Sequence, residues 1–136
     1  MEITTSGRVT VREMTAEQIV TAMIDAIERK DLDAAVGYMS DDIEYDNVPM
    51  GKVFGPDGVR QALEPFLARY GSVEWRILHQ VASDDVVMNE RIDRFEASTG
   101  WAEIAVVGLF EVADGKVRLW RDYFDLAAAT SALSQR

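Results

Sequence analysis

Cysteine is absent from this 136-residue chain, and histidine occurs only once, at position 79. Without cysteine the chain cannot form a disulfide, a thiolate nucleophile or a cysteine-ligated metal site. A metal centre or a Ser-His-Asp triad would need partners for His79, and the sequence shows none. We therefore interpret His79 as a structural, hydrogen-bonded packing residue, and we expect neither a metal nor an organic cofactor.

Long apolar runs are also missing. The longest one, residues 104–110, has seven residues, whereas a helix needs about twenty to cross a bilayer. The first fourteen residues, MEITTSGRVTVREM, contain no apolar core of signal-peptide length. The sequence therefore predicts a cytoplasmic protein that does not associate with a membrane.

Positive charge is scarce, because 14 Lys and Arg stand against 24 Asp and Glu and give a net charge of -10. Such a chain repels phosphate backbones and anionic lipids, so we expect no nucleic-acid partner. HExxH, GxSxG, EF-hand and Gly-rich phosphate-loop motifs are absent too. The length predicts one domain over 1–136, with a polar N-terminal tail at 1–14 and a C-terminal tail at 126–136.

Three helices are predicted in the first half of the chain. Thr15 and Gln18 have the spacing of a capping box, which predicts a helix over 15–30 with an apolar stripe at three- and four-residue intervals. A short helix over 31–39 follows. Pro56 at a first helical turn and Gly71 at the end delimit a third helix.

Strand patterns dominate the remainder. The predicted strands cover residues 43–48, 73–82, 86–95, 101–112 and 117–124. The segment 49–55 is predicted as a loop. This order of elements is typical of an α+β fold in which a curved, mixed or antiparallel sheet wraps around three N-terminal helices and encloses a pocket.

Polar residues recur two apart on three of these strands, and residues two apart on a strand share a face. The pairs are Tyr45 with Asn47, Arg91 with Asp93, and Trp120 with Asp122. A buried Arg91 would need carboxylate partners, which Asp93 and Asp122 could provide. Both faces of the strand over 86–95 mix apolar and charged residues, however, so a surface ion pair between strands fits the spacing as well.

The three pairs, in the stretches EYDNVP, NERIDRF and LWRDYFD, resemble the limonene-1,2-epoxide hydrolase family in order and in position. The resemblance extends from the first helix to the last strand. It implies the cone-like fold of the nuclear transport factor 2 superfamily. It also implies an enzyme that adds water to a small apolar epoxide without a cofactor, and a homodimer formed through the open sheet face.

The resemblance also implies a role for each residue. Asp122 would be the general base for the water, Asp93 the general acid for the epoxide oxygen, and Arg91 the bridge between them. Tyr45 and Asn47 would hold the water. Because Arg stays protonated in proteins, Arg91 cannot itself act as the acid, so the two carboxyl groups would share one proton.

Apolar and aromatic side chains are the candidates for substrate binding. They are Trp120, Phe95, Phe124, Phe66, Tyr70, Ile24 and Ile27. Two other functions remain open for the same fold. One is a ketosteroid-isomerase-like or polyketide-cyclase-like enzyme, in which an Asp base removes a proton next to a carbonyl. The other is a binding domain for a small ligand that catalyses nothing.

Overall fold

The computed structural model describes residues 14–134, which contain four helices and one six-stranded sheet. The helices are α1 (Ala16–Glu28), α2 (Leu32–Gly37), α3 (Gly55–Leu67) and α4 (Leu126–Leu133). The strands are β1 (Met39–Asn47), β2 (Gly51–Phe54), β3 (Val73–Ser83), β4 (Val86–Ala97), β5 (Gly100–Ala113) and β6 (Lys116–Tyr123). The predicted α+β class is confirmed.

The strand order in the sheet is β2-β1-β6-β5-β4-β3. The pair β1 and β6 is parallel, and all other neighbours are antiparallel. The sheet is therefore mixed. Buried side chains of β1, β4 and β6 lie on its inner face. In the described part of the chain, no helix is long and apolar enough to cross a membrane.

Helix α1 begins at the predicted capping box. The backbone N–H of Gln18 donates to Oγ1 of Thr15 over 3.1 Å, and the backbone N–H of Thr15 donates to Oε1 of Gln18 over 2.9 Å. These bonds satisfy backbone donors that have no partner inside the helix. The buried apolar face of α1 packs against the inner face of the sheet and comprises Ile19, Val20, Met23, Ile24 and Ile27.

Two segments differ from the sequence prediction. The predicted loop over 49–55 contains β2, which pairs with β1 so that Gly51 lies opposite Asn47. The predicted C-terminal tail at 126–136 contains α4, where Asp125 Oδ1 accepts the backbone N–H of Ala128 over 2.8 Å. Alanine-rich sequence after such a cap favours a helix. Of the predicted tail at 1–14, only Met14 belongs to the described residues.

A β-bulge in β3 reverses the alternation of faces along that strand. Ile77 pairs with Arg91 on β4, but His79 pairs with Glu90, so Leu78 is an extra residue. Beyond the bulge His79 points outward and its side chain is 84% exposed, with Nδ1 at 2.7 Å from Glu90 Oε1. The interpretation of His79 as a packing residue was therefore wrong, although it is hydrogen-bonded.

Candidate active site

The inner face of β4 is highly polar for a buried surface. Its buried side chains are Val87, Asn89, Arg91, Asp93 and Phe95. Arg91 is 0% exposed. This burial rules out the surface ion pair that the spacing allowed. Because an isolated buried charge costs several kcal/mol even after relaxation, Arg91 needs partners inside the protein.

All five N–H groups of the Arg91 guanidinium have an acceptor. Nε and Nη2 donate to the two carboxylate oxygens of Asp93 over 2.9 and 3.0 Å. Nη2 and Nη1 donate to the two oxygens of Asp122 over 3.0 and 3.3 Å. Nη1 also donates to Oδ1 of Asn89 over 3.1 Å. Arg91 therefore bridges two buried carboxyl groups with a fully satisfied donor set.

The two carboxyl groups have different surroundings. Besides Arg91, Asp122 accepts the indole N–H of Trp120, with 2.9 Å between Nε1 and Oδ1. Asp93 has hydrogen bonds from Arg91 alone among the described residues. Asp122 is therefore held by three N–H donors and Asp93 by two.

The surroundings of Asp93 also shift its pKa. Burial raises the pKa of Asp93 to about 6, Arg91 opposes this rise, and the negative charge of Asp122 adds to it. For Arg91, burial lowers the pKa, but the charges of Asp122 and Asp93 outweigh burial and the net shift is upward. Burial also raises the pKa of Tyr45 above its ordinary value, so its phenol stays neutral.

Strand β1 brings the remaining predicted polar residues to the same place. In the parallel pairing with β6, Tyr45 lies beside Trp120 and Asn47 beside Asp122. The rings of Tyr45 and Trp120 stack with their centroids 4.0 Å apart. This stacking fixes the Tyr45 ring, and it leaves the phenol and the Asn47 amide next to Asp122.

A glycine makes room for this arrangement. Across the sheet Gly108 on β5 is the pairing partner of both Asn89 and Asp122. A Cβ atom at Gly108 would lie 2.5 Å from Nη1 of Arg91 and 2.9 Å from Oδ1 of Asn89. The guanidinium can reach Asp122 only because position 108 has no side chain.

A cavity of about 310 Å³ opens over these residues. Its polar lining includes Tyr45, Asn47, Asp93, Asp122 and Thr130. The apolar lining consists of Met50, Ala62, Leu63, Phe66, Trp75, Phe95, Ile104, Val106, Phe124, Leu126, Ala129 and Leu133. Two carboxyl groups, one amide and one phenol thus meet at one end of an otherwise largely apolar cavity.

Of the predicted substrate-binding residues, Phe66, Phe95 and Phe124 line this cavity. The other four do not. Tyr70 lies behind the lining, with its ring 5.4 Å from Phe66 and 5.3 Å from Phe95. Trp120 is 0% exposed beneath Tyr45. Ile24 and Ile27 belong to the core between α1 and the sheet.

The sequence prediction misses the wall that α4 contributes, since it assigns 126–136 to a tail. It also misses Trp75, whose ring lines the cavity and lies 5.1 Å from the guanidinium carbon of Arg91. Trp75 pairs with Asp93 in the sheet, a neighbour that only the strand register reveals. Within residues 14–134 no group of three or more His, Asp or Glu side chains could hold a metal ion.

The fold defines the class of protein. An NTF2-like protein of unknown function from Burkholderia pseudomallei superposes with a TM-score of 0.76 over 93% of this chain and 100% of its own. At 16% identity this likeness concerns the fold alone. It confirms the expected NTF2-like cone.

Within that class the family is shown by sequence. The family model of the limonene-1,2-epoxide hydrolase catalytic domain matches residues 14–135, and the chain belongs to this family. Epoxide hydrolase EphG of Mycobacterium tuberculosis is 33% identical over 79% of this chain and 71% of its own length. The structure of an M. tuberculosis LEH-like epoxide hydrolase is 31% identical, with a TM-score of 0.76 over 87% of this chain and 88% of that one.

Proposed function

We propose that this protein hydrolyses a small apolar epoxide to a vicinal diol in one step, by direct addition of water and without a covalent intermediate. Membership of the limonene-1,2-epoxide hydrolase family supports the reaction class. The observation that supports the mechanism is the single Arg91 guanidinium between Asp93 and Asp122, at the polar end of an apolar cavity. An acid and a base held at a fixed separation suit a concerted addition.

Asp122 is the base in this proposal. Its carboxylate accepts three N–H donors from Arg91 and Trp120, which fix its orientation beside Tyr45 and Asn47. It takes a proton from a water molecule whose oxygen forms the new bond to an epoxide carbon. Tyr45 and Asn47 orient that water, and neither needs to titrate.

Asp93 is the acid. With a pKa of about 6 it keeps its proton in about a tenth of the molecules at pH 7, far more than an aspartate with the ordinary pKa would. That proton passes to the epoxide oxygen as the ring C–O bond breaks. After the step Asp122 carries the proton and Asp93 is ionised, so one proton must move from Asp122 to Asp93 before the next turnover. Arg91 balances one negative charge in both states.

The cavity supports an uncharged, largely apolar substrate. Apart from the four polar groups at its floor, Thr130 is the only polar residue of its lining among the described residues. A volume of about 310 Å³ lies at the lower end of the range for small-molecule sites. A terpene-like, cyclic or styrene-type epoxide fits this description.

The test is incubation of the full chain with a panel of such epoxides in oxygen-18 water, followed by mass spectrometry of diol and protein. The label should enter the diol in the first turnover. Asp122→Asn should lose most activity because an amide cannot take the proton. Asp114→Asn is the matched control, since Asp114 is an exposed turn residue with a φ of 52° that Asn also adopts.

Two results would contradict the proposal. Label that enters a protein carboxyl group first, and reaches the diol only in a later turnover, would indicate a covalent ester. No diol from any epoxide of the panel would favour proton abstraction next to a carbonyl, or ligand binding alone.

We also propose a homodimer through the outer face of the sheet. This face exposes large apolar side chains on β3 to β6: Leu78, Val81, Val86, Met88, Trp101, Val107 and Tyr123. Contiguous exposed apolar surface is typical of protein interfaces. Sedimentation velocity should give twice the mass of the chain for the wild type and the single mass for Met88→Lys. A wild-type monomer at micromolar concentration would refute the dimer.

A further inference from the structure

The fifth N–H of Arg91 is bound by a residue that the proposed mechanism does not use. Nη1 donates to Oδ1 of Asn89, which is 2% exposed and lies two residues before Arg91 on the inner face of β4. Arg can only donate, so the oxygen of the Asn89 amide must face Arg91. The amide nitrogen must then point the other way, and Nδ2 donates to Oε1 of Gln80 over 3.0 Å.

The chain of hydrogen bonds continues to the surface of α1. Nε2 of Gln80 donates to Oγ1 of Thr21 over 3.2 Å and to Oε2 of Glu17 over 3.3 Å. A carboxylate only accepts, so Glu17 fixes the outer end of the chain as Arg91 fixes the inner end. Both amides therefore have a defined orientation.

The bulge at Leu78 is what brings Gln80 into position. With unbroken alternation Gln80 would share the outward face with Arg76 and Leu78, and the bulge turns it inward instead. Gln80, Asn89, Gly108, Asp122 and Asn47 then form one row of pairing partners across β3, β4, β5, β6 and β1. Bulges that redirect a side chain are common next to active sites.

We propose that Asn89 and Gln80 are positioning residues that hold the Arg91 guanidinium between Asp93 and Asp122 and so determine how firmly Asp93 keeps the catalytic proton. Neither side chain lines the cavity. Both act through Arg91. The catalytic consequence rests on the proposed function, whereas the effect on the proton of Asp93 does not.

The physical reason is the burial of Arg91. If Asn89 is removed, one guanidinium N–H has no acceptor in a region without solvent, and the guanidinium shifts toward a new partner. Its bonds to Asp93 then lengthen. Because those bonds favour the ionised carboxyl group, the pKa of Asp93 rises further.

The decisive variant is Asn89→Leu, which keeps the number and branching of the side-chain heavy atoms, removes both polar atoms and leaves no space for a substituting water. Carboxyl carbon NMR should show the pKa of Asp93 raised by about 0.5 unit or more. For diol formation kcat should fall about tenfold or more through loss of positioning. KM should stay within about threefold, because the residues that line the cavity are unchanged.

Gln80→Met is the milder variant, since it breaks the chain one residue farther from Arg91 at a half-buried site. It should shift the pKa of Asp93 in the same direction by a smaller amount. The matched control is His79→Gln, a neighbouring residue on β3 that points outward. It should leave both the pKa of Asp93 and kcat unchanged.

Reversing the direction of the hydrogen bond between positions 80 and 17 provides a rescue test. In Gln80→Glu the new carboxylate still accepts from Asn89 but faces the carboxylate of Glu17. This variant should therefore have a lower kcat and a raised pKa of Asp93. Adding Glu17→Gln supplies a donor at position 17, and the double variant should recover most of the wild-type pKa and kcat. A merely structural role for Gln80 would give no such rescue.

The proposal is overturned if folded Asn89→Leu and Gln80→Met both titrate Asp93 as the wild type does, or if the double variant is no better than Gln80→Glu. The NMR titration needs no substrate. A wild type that forms no diol would therefore refute the proposed function and leave this test intact.

Discussion

The Arg91 guanidinium lies against the backbone of Gly108, so that a Cβ atom there would be 2.5 Å from Nη1. Arg91 is held on its other sides by Asp93 and Asp122, so it cannot yield without breaking a hydrogen bond. Gly108 has no unusual φ. Its requirement for glycine comes from space alone.

Gly108→Ala should therefore displace Arg91. We expect kcat/KM for diol formation to fall about 100-fold and the free energy of unfolding to drop by about 1–3 kcal/mol through overpacking. Steady-state kinetics and chemical denaturation measure the two effects. Gly37→Ala is the control, because a Cβ atom at this helical position meets nothing within 4 Å. Equal behaviour of the two variants would contradict the prediction.

The pKa of Asp93 predicts the alkaline side of the pH profile. The acid works only when protonated, so activity is retained below its pKa of about 6 and lost as the pH rises through that value. kcat/KM should fall about tenfold per pH unit on that side. Initial rates between about pH 4.5 and 8.5, each corrected for the uncatalysed hydrolysis of the epoxide, provide the measurement. A profile that is flat from pH 5 to 8 would exclude Asp93 as the acid.

Trp120→Phe tests the asymmetry between the two carboxyl groups. The substitution removes the indole N–H from Asp122 and keeps an aromatic ring beneath Tyr45. Since the base loses a donor that fixes its orientation, kcat for diol formation should fall about tenfold, and the alkaline limb of the pH profile, which belongs to Asp93, should stay in place. Trp101→Phe is the matched control, because Trp101 is exposed on β5. If the alkaline limb shifts as well, Trp120 acts on the whole centre rather than on Asp122.

Alternation along the strands was enough to group the candidate residues. Residues two apart share a face whatever the tertiary structure, so Arg91 with Asp93 and Trp120 with Asp122 followed from β4 and β6 alone. Which face is buried did not follow, because both faces of β4 contain apolar and charged residues. The packing of helix α1 against one face of the sheet decides it.

The inward position of Gln80 was beyond reach for a different reason. It depends on one extra residue in β3 relative to β4, and this register is set by pairing between strands. The local sequence around Leu78 contains no glycine or proline to mark the bulge. Strict alternation would place His79 on the same face as Trp75 and Ile77, where Gln80 is found instead.

Helix α4 is the element of the cavity that the sequence did not predict. Its eight residues lack charge and lack a clear apolar stripe, so the segment resembled a tail. Its stability comes from the Asp125 cap and from packing against β5. The consequence is that residues just beyond Asp122 form one wall of the cavity.

The position of α4 at the cavity predicts that this helix limits the size of the substrate. Ala129 is 4% exposed and lines the cavity, so Ala129→Leu adds three carbons to a chamber of about 310 Å³. We expect KM for a terpene-like epoxide to rise about tenfold, since a misplaced methylene costs roughly 1–3 kcal/mol in such a pocket. Epoxides of about two to four carbons should keep their KM within about twofold, because they leave that space empty.

Ala127→Leu is the control: it makes the same change on an exposed position of the same helix. Because both variants alter α4 equally in length and composition, a loss that is confined to Ala129→Leu and to large epoxides can only come from the cavity. A loss that is independent of epoxide size would instead mean that α4 affects the centre around Asp122 itself.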